Sequence, residues 1–122
     1  FKYNKEWIFG LINKDQDKEF KKVMEELIKS VKSFHKNISL KTGNLLNRSK
    51  NFSRAISVIY ILQSSLDLEK GGQVAYDLFR LYEFLRLNLI KDLKNAAINK
   101  SLIALNSIVE IKDSWSKLII EK

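Results

Sequence analysis

The sequence predicts an all-α fold: an antiparallel up-down four-helix bundle with an extra N-terminal aromatic-rich segment or short helix. Three observations point there. The 122 residues include no proline and only four glycines, too few for the many turns of an all-β domain. Apolar residues recur at spacings of three and four through four stretches of roughly 20 residues each. The links between those stretches are short, which makes consecutive helices antiparallel neighbours and rules out long crossovers. The length suits one domain, residues 1–122, with residues 1–14 set apart as an N-terminal segment.

That segment is aromatic. Phe1, Tyr3, Trp7 and Phe9 fall within nine residues. The first long helix is predicted from about Lys18 to Ile38, with Asp15 or Asp17 as its N-cap. Phe20, Met24, Leu27, Val31, Phe34 and Ile38 alternate spacings of four and three along one face, widened by Val23, Ile28 and His35. Gly43 stops the pattern.

The second helix is predicted from about Leu45 to Leu66, with Phe52, Ala55, Ile56, Ile59, Leu62 and Leu66 facing inward. Asp67 to Gly71 reads as a turn. The third runs from about Gly72 to Leu93, with Val74, Ala75, Leu78, Phe79, Tyr82, Leu85, Leu89 and Leu93 inward. After a break with Asn95 as a plausible cap, the fourth runs from about Ala96 to Ile120. Its inner side is Ile98, Leu102, Leu105, Ile108, Val109, Trp115 and Ile119. The many Ile and Asn residues are middling helix formers, so packing rather than propensity must hold these helices.

A monomeric bundle needs one apolar stripe per helix. Helices two to four each carry apolar residues outside theirs, and contiguous exposed apolar surface marks a partner site. The residues that fall outside the inner stripes, and therefore the expected groove, are Val58, Ile61, Leu81, Phe84, Leu87, Ile103, Ile111 and Leu118. The plainer alternative is packing between neighbouring helices or beneath the aromatic N-terminus.

The formal net charge is +8. From Leu27 to Leu66 there is no acidic residue, while Lys29, Lys32, Lys36, Lys41, Arg48, Lys50 and Arg54 all fall there. This predicts a basic face, either merely solvated or turned towards nucleic acid or an anionic surface. The helices look too long for a helix-turn-helix reader. No apolar run approaches the roughly 20 residues of a membrane span. The opening Phe1-Lys2-Tyr3-Asn4 lacks the form of a signal peptide.

Catalytic equipment is not visible. The absence of cysteine excludes disulfides, thiolate metal sites and cysteine nucleophiles, and fits a reducing cytoplasm. His35 is the only histidine, and a satisfied histidine at the core edge is its expected role. Glu25 and Glu26 point about 100° apart and make no acid-base pair. Gly71-Gly72 lacks the Lys-Ser/Thr ending of a phosphate loop. The expectation is a non-enzyme with no cofactor, no metal, no small-molecule substrate and no membrane insertion.

From helix two onward the residues become recognisable. Arg54-Ala55-Ile56, then Leu62-Gln63-Ser64-Ser65-Leu66-Asp67, then Gly71-Gly72-Gln73-Val74-Ala75, then Leu78-Phe79-Arg80-Leu81-Tyr82-Glu83-Phe84 resemble the flagellin-specific export chaperones of the FliS family. Trp115 matches a tryptophan near that family's C-terminus, and the likeness covers about Arg48 to Leu118. The resemblance implies a cytoplasmic chaperone. It would bind the disordered C-terminal segment of flagellin, prevent premature polymerisation and present the subunit to the flagellar type III export apparatus. It also implies that the N-terminal segment covers a groove until the client displaces it. Tyr3 and Trp7 would then serve as the lid, the alternative being a permanently packed N-terminal helix. The competing function is a basic helical protein that binds nucleic acid or an anionic surface.

Overall fold

The structure, a computed structural model, describes residues 14–39 and 45–120, with side chains over residues 20–39 and 45–114. The described residues form four helices and no strand: α1 (Lys14–Ser39), α2 (Leu45–Ser64), α3 (Leu68–Asn95) and α4 (Lys100–Ile120). The aromatic N-terminal segment lies outside the described residues.

Helix α1 packs on α2 and α4, and α3 closes the ring against the same two. The cross-links run antiparallel. The Glu26 carboxylate pairs with Arg54, while Arg48 Nη2, one to two turns earlier on α2, donates to the Asn37 carbonyl 3.2 Å away, late on α1. This is the up-down-up-down bundle that short links dictate.

The inner face of α1 is buried as its spacing predicts: Phe20, Met24, Leu27, Val31, Phe34 and Ile38 all lie in the core. They meet Ile59 and Leu62 of α2, Tyr82, Leu85 and Leu89 of α3 and Ile108 of α4 in one continuous cluster. Phe34 tilts against Phe52 with ring centroids 5.9 Å apart, a favourable aromatic geometry.

Three helix starts differ from the sequence expectation. Helix α1 is described from Lys14, so Asp15 and Asp17 fall within the helix rather than at its cap. Helix α3 begins at Leu68, because Asp67 caps it: its Oδ1 accepts the Lys70 N–H at 2.9 Å. This first turn is interrupted at Gly72, whose φ of 54° and ψ of −136° break the helix before its long body. Helix α4 begins at Lys100, four residues later than the pattern predicts. Ala96 adopts the left-handed conformation and its N–H reaches back to the Leu93 carbonyl, which closes α3 at Asn95 and forces the chain to turn.

The inner stripes also shift at their edges. Val58 and Ile111, expected outside, are in the core, whereas Phe79 and Leu102, expected inside, are exposed. On α4 the truly buried arc includes Ser101 and Ala104, small residues that let the helix come close to its neighbours. A stripe drawn through the largest apolar side chains passes over them.

Candidate functional site

Exposed apolar residues occur on α2, α3 and α4, and those of α3 run along its outer face and flanks. Tyr76, Phe79, Leu87 and Ile90 are exposed and share an outward face at about 100° per residue, with Phe84 beside them towards α4. Of these, Phe84 and Leu87 are expected from sequence. Tyr76, Phe79 and Ile90 are not, although spacings of three and eleven residues keep them on one helical face, a second stripe that a single-stripe reading absorbs.

On the α2 side a polar bridge anchors the flank. Gln63 Nε2 donates to Glu83 Oε2 at 3.0 Å and to the Phe79 carbonyl at 3.4 Å. Arg86 Nε donates to the same carboxylate at 3.0 Å. The hydrogen bond from Arg86, then that from Gln63, holds the Glu83 carboxyl below its ordinary pKa. Exposed Tyr60 rises from α2 one turn before Gln63, on the same side of that helix, and Ile61 is half exposed on the other.

On the α4 side lies an open groove of about 470 Å³ lined by Val74, Asp77, Leu78 and Leu81 from α3 and Ser107, Glu110, Ile111 and Ser114 from α4. Leu81 is half-buried in its wall, and buried Ile111 forms part of its floor. By helical register Ile103, 62% exposed, continues the same side of α4 towards the level of Phe84. The structure thus brings Leu81, Phe84, Ile103 and Ile111 to one side of the molecule, Leu87 to the outer face of α3 and Ile61 elsewhere on α2. It removes Val58 into the core. Tyr3 and Trp7 lie outside the described residues, and the Leu118 side chain lies outside the described side chains.

A second polar centre sits at the opposite end of the α3–α4 pair. His35 Nε2 is 2.8 Å from Ser101 Oγ, Ser101 donates in turn to the Asp92 carboxylate, and the same oxygen accepts the Asn99 N–H at 3.0 Å. His35, Asp92 and Ser101 are all buried. The serine stands between histidine and aspartate, so the arrangement lacks the order of a nucleophilic triad. Its effect is structural: it ties α1 to the α3–α4 corner. The expected satisfied core-edge histidine is what the structure shows. Among the described residues no three His, Asp or Glu side chains gather as metal ligands, and no helix is long and apolar enough to cross a membrane.

The basic stretch does not present all its cations freely. Arg54 is paired with Glu26, and Arg48 folds onto the end of α1. Lys29, Lys32, Lys36 and Lys50 are exposed.

Fold and surface together define a small antiparallel helical bundle whose third helix leaves apolar residues uncovered on both flanks. The Flagellar protein FliS family matches residues 13–122, and the chain belongs to that family. It is also similar to the Flagellar secretion chaperone FliS of Vibrio cholerae serotype O1, with 28% identity over 81 residues. That match covers 66% of this chain and 59% of the Vibrio protein, so it spans less than two thirds of the relative's length.

Proposed function

We propose that the chain is a cytoplasmic flagellar export chaperone. It binds the C-terminal disordered segment of flagellin, prevents premature polymerisation and assists export through the flagellar type III apparatus. Its activity is binding rather than catalysis. The observation that carries this reading is the uncovered apolar surface along α3, in a chain of the FliS family. A client disordered alone gains its binding energy by laying an amphipathic helix into such a groove, against the entropy of its own ordering. Ile61, Leu81, Phe84, Leu87, Ile103, Ile111 and Leu118 are the residues assigned to client contact, and Tyr3 and Trp7 to a segment that the client displaces.

The test is co-purification with flagellin that carries or lacks its C-terminal segment. Recovery of the intact form alone is expected; equal recovery of both rejects the proposal. For the lid, deletion of residues 1–12 should leave a folded bundle with tighter client binding, and unchanged affinity would exclude it.

A further inference from the structure

The groove between α3 and α4 differs electrostatically from the chain that carries it. The whole molecule has a formal net charge of +8. Yet the described residues lining the groove include two carboxylates, Asp77 and Glu110, and among them there is neither lysine nor arginine. Asp77 stands on the α3 wall and Glu110 on the α4 wall, with Leu78, Leu81 and Ile111 between them. Both carboxylates are exposed, and the exposed Arg80 lies one turn beyond Asp77 outside the lining. Asp77 accepts a hydrogen bond from a neutral group: Gln73 Nε2 donates to its Oδ1 at 2.9 Å. An apolar floor between two carboxylate walls is complementary to one kind of helix. That helix carries an apolar stripe at i, i+3, i+4 and i+7, with lysine or arginine on both borders of the stripe.

We propose that the α3–α4 groove is a docking site for a basic amphipathic helix, and that Asp77 and Glu110 choose the client's charge. This rests on the reading of the bundle as a holder of helical segments and adds the chemistry of the segment held. The helix lies over the open groove and lowers apolar side chains onto Leu81 and Ile111. Its cations meet Asp77 and Glu110 on either side. Elsewhere the positive surface repels such a client, so the groove fixes where it binds. The pairs are solvent-exposed, so they contribute selectivity and salt dependence more than affinity.

The experiment uses the full chain and two synthetic amphipathic peptides of about 18 residues, long enough for five helical turns. Both have the same leucine stripe, one bordered by lysine and the other by glutamate. In about 0.05 M salt the lysine peptide should bind roughly fivefold more tightly than the glutamate peptide, and the difference should shrink by about 0.5 M as screening shortens. The D77N/E110Q double variant should abolish that preference without loss of fold, since both side chains are exposed. L81Q should weaken both peptides alike. A preference for the glutamate peptide, as net charge alone dictates, would overturn the proposal. So would binding of neither peptide, or a preference that survives D77N/E110Q. If flagellin is not retained while the lysine preference stands, the flagellin reading alone fails. If flagellin is retained without that preference, the charge selection alone fails.

Discussion

His35 Nε2 lies 2.8 Å from Ser101 Oγ, a contact that joins residues 66 positions apart and pins α1 to the first turn of α4. The hydroxyl hydrogen of Ser101 is committed to the Asp92 carboxylate, which only accepts while ionised. His35 must therefore donate from Nε2. Burial pushes its pKa below the ordinary 6.5, and the nearby Asp92 charge partly opposes that shift.

The sign of the pH dependence follows from that direction. The unfolded chain takes up the His35 proton near the ordinary value and the folded chain only at lower pH. Between the two the unfolded state binds more protons, so stability falls as pH drops. Urea denaturation midpoints should decline from about pH 7.5 towards about pH 5.5, the range in which histidine titrates. The H35Q variant should show a flatter decline over that range. An identical slope in H35Q would remove His35 as its source.

Ser101 itself has no exposed surface. Replacing it with alanine leaves His35 without its partner and strips Asp92 of one donor, while Asn99 N–H remains at 3.0 Å. The cost should be about 1–3 kcal/mol, the range for a buried polar group left unpaired. Chemical denaturation of S101A at neutral pH checks it.

The core makes a larger demand. Phe34 is fully buried and touches the rings of both His35 and Phe52. Phe34→Ala should destabilise by about 3–5 kcal/mol, a transfer loss plus the cavity left behind. That is a large share of the roughly 5–15 kcal/mol available to a domain. The measurement is the denaturant midpoint, and a loss under 1 kcal/mol would mean that the site collapses to fill the void.

At the opening of α3 the backbone sets the constraint. A Cβ on Gly72 meets nothing within 4 Å, yet its φ of 54° is one that side-chain-bearing residues rarely adopt. Gly72→Ala should therefore cost about 1–3 kcal/mol through strain alone. Asp67→Ala should cost about 0.5–2 kcal/mol through the lost cap. Thermal unfolding of both variants separates strain from capping. A neutral G72A would show that the kink relaxes.

The difference between these two sites explains what the sequence could reveal. The four helices and the whole inner face of α1 are legible because one period of burial governs them: Phe20 to Ile38 need face only one way. The start of α3 is not legible at Gly72, because the signal lies in Asp67 and its hydrogen bond to Lys70 N–H. Proximity across helices is equally hidden. The tie between His35 and Ser101 joins distant stretches, and no local pattern announces it. On α2 and α4 a helix flanked by two neighbours buries a wide arc, so Val58 and Ile111 enter the core although they sit off the central stripe. The exposed flank of α3 was half visible. Phe84 and Leu87 stood outside its inner stripe, while Phe79 was hidden within it.

Ile103 separates folding from binding most cleanly. It is 62% exposed, so its truncation leaves no cavity and its stability cost should stay within about 0.5 kcal/mol, as for ordinary surface changes. Under the proposed function it lies on the client-facing side of α4. Ile103→Ser should thus leave the unfolding midpoint unchanged and lower flagellin retention, by about tenfold if its loss removes roughly 1.4 kcal/mol of apolar contact. Lys50→Ser, an exposed change remote from the groove, is the control and should lower neither. Retention of the client by I103S at the level of K50S would place the contact surface elsewhere, with the opposite flank of α3 at Phe79 and Ile90 next to be tested.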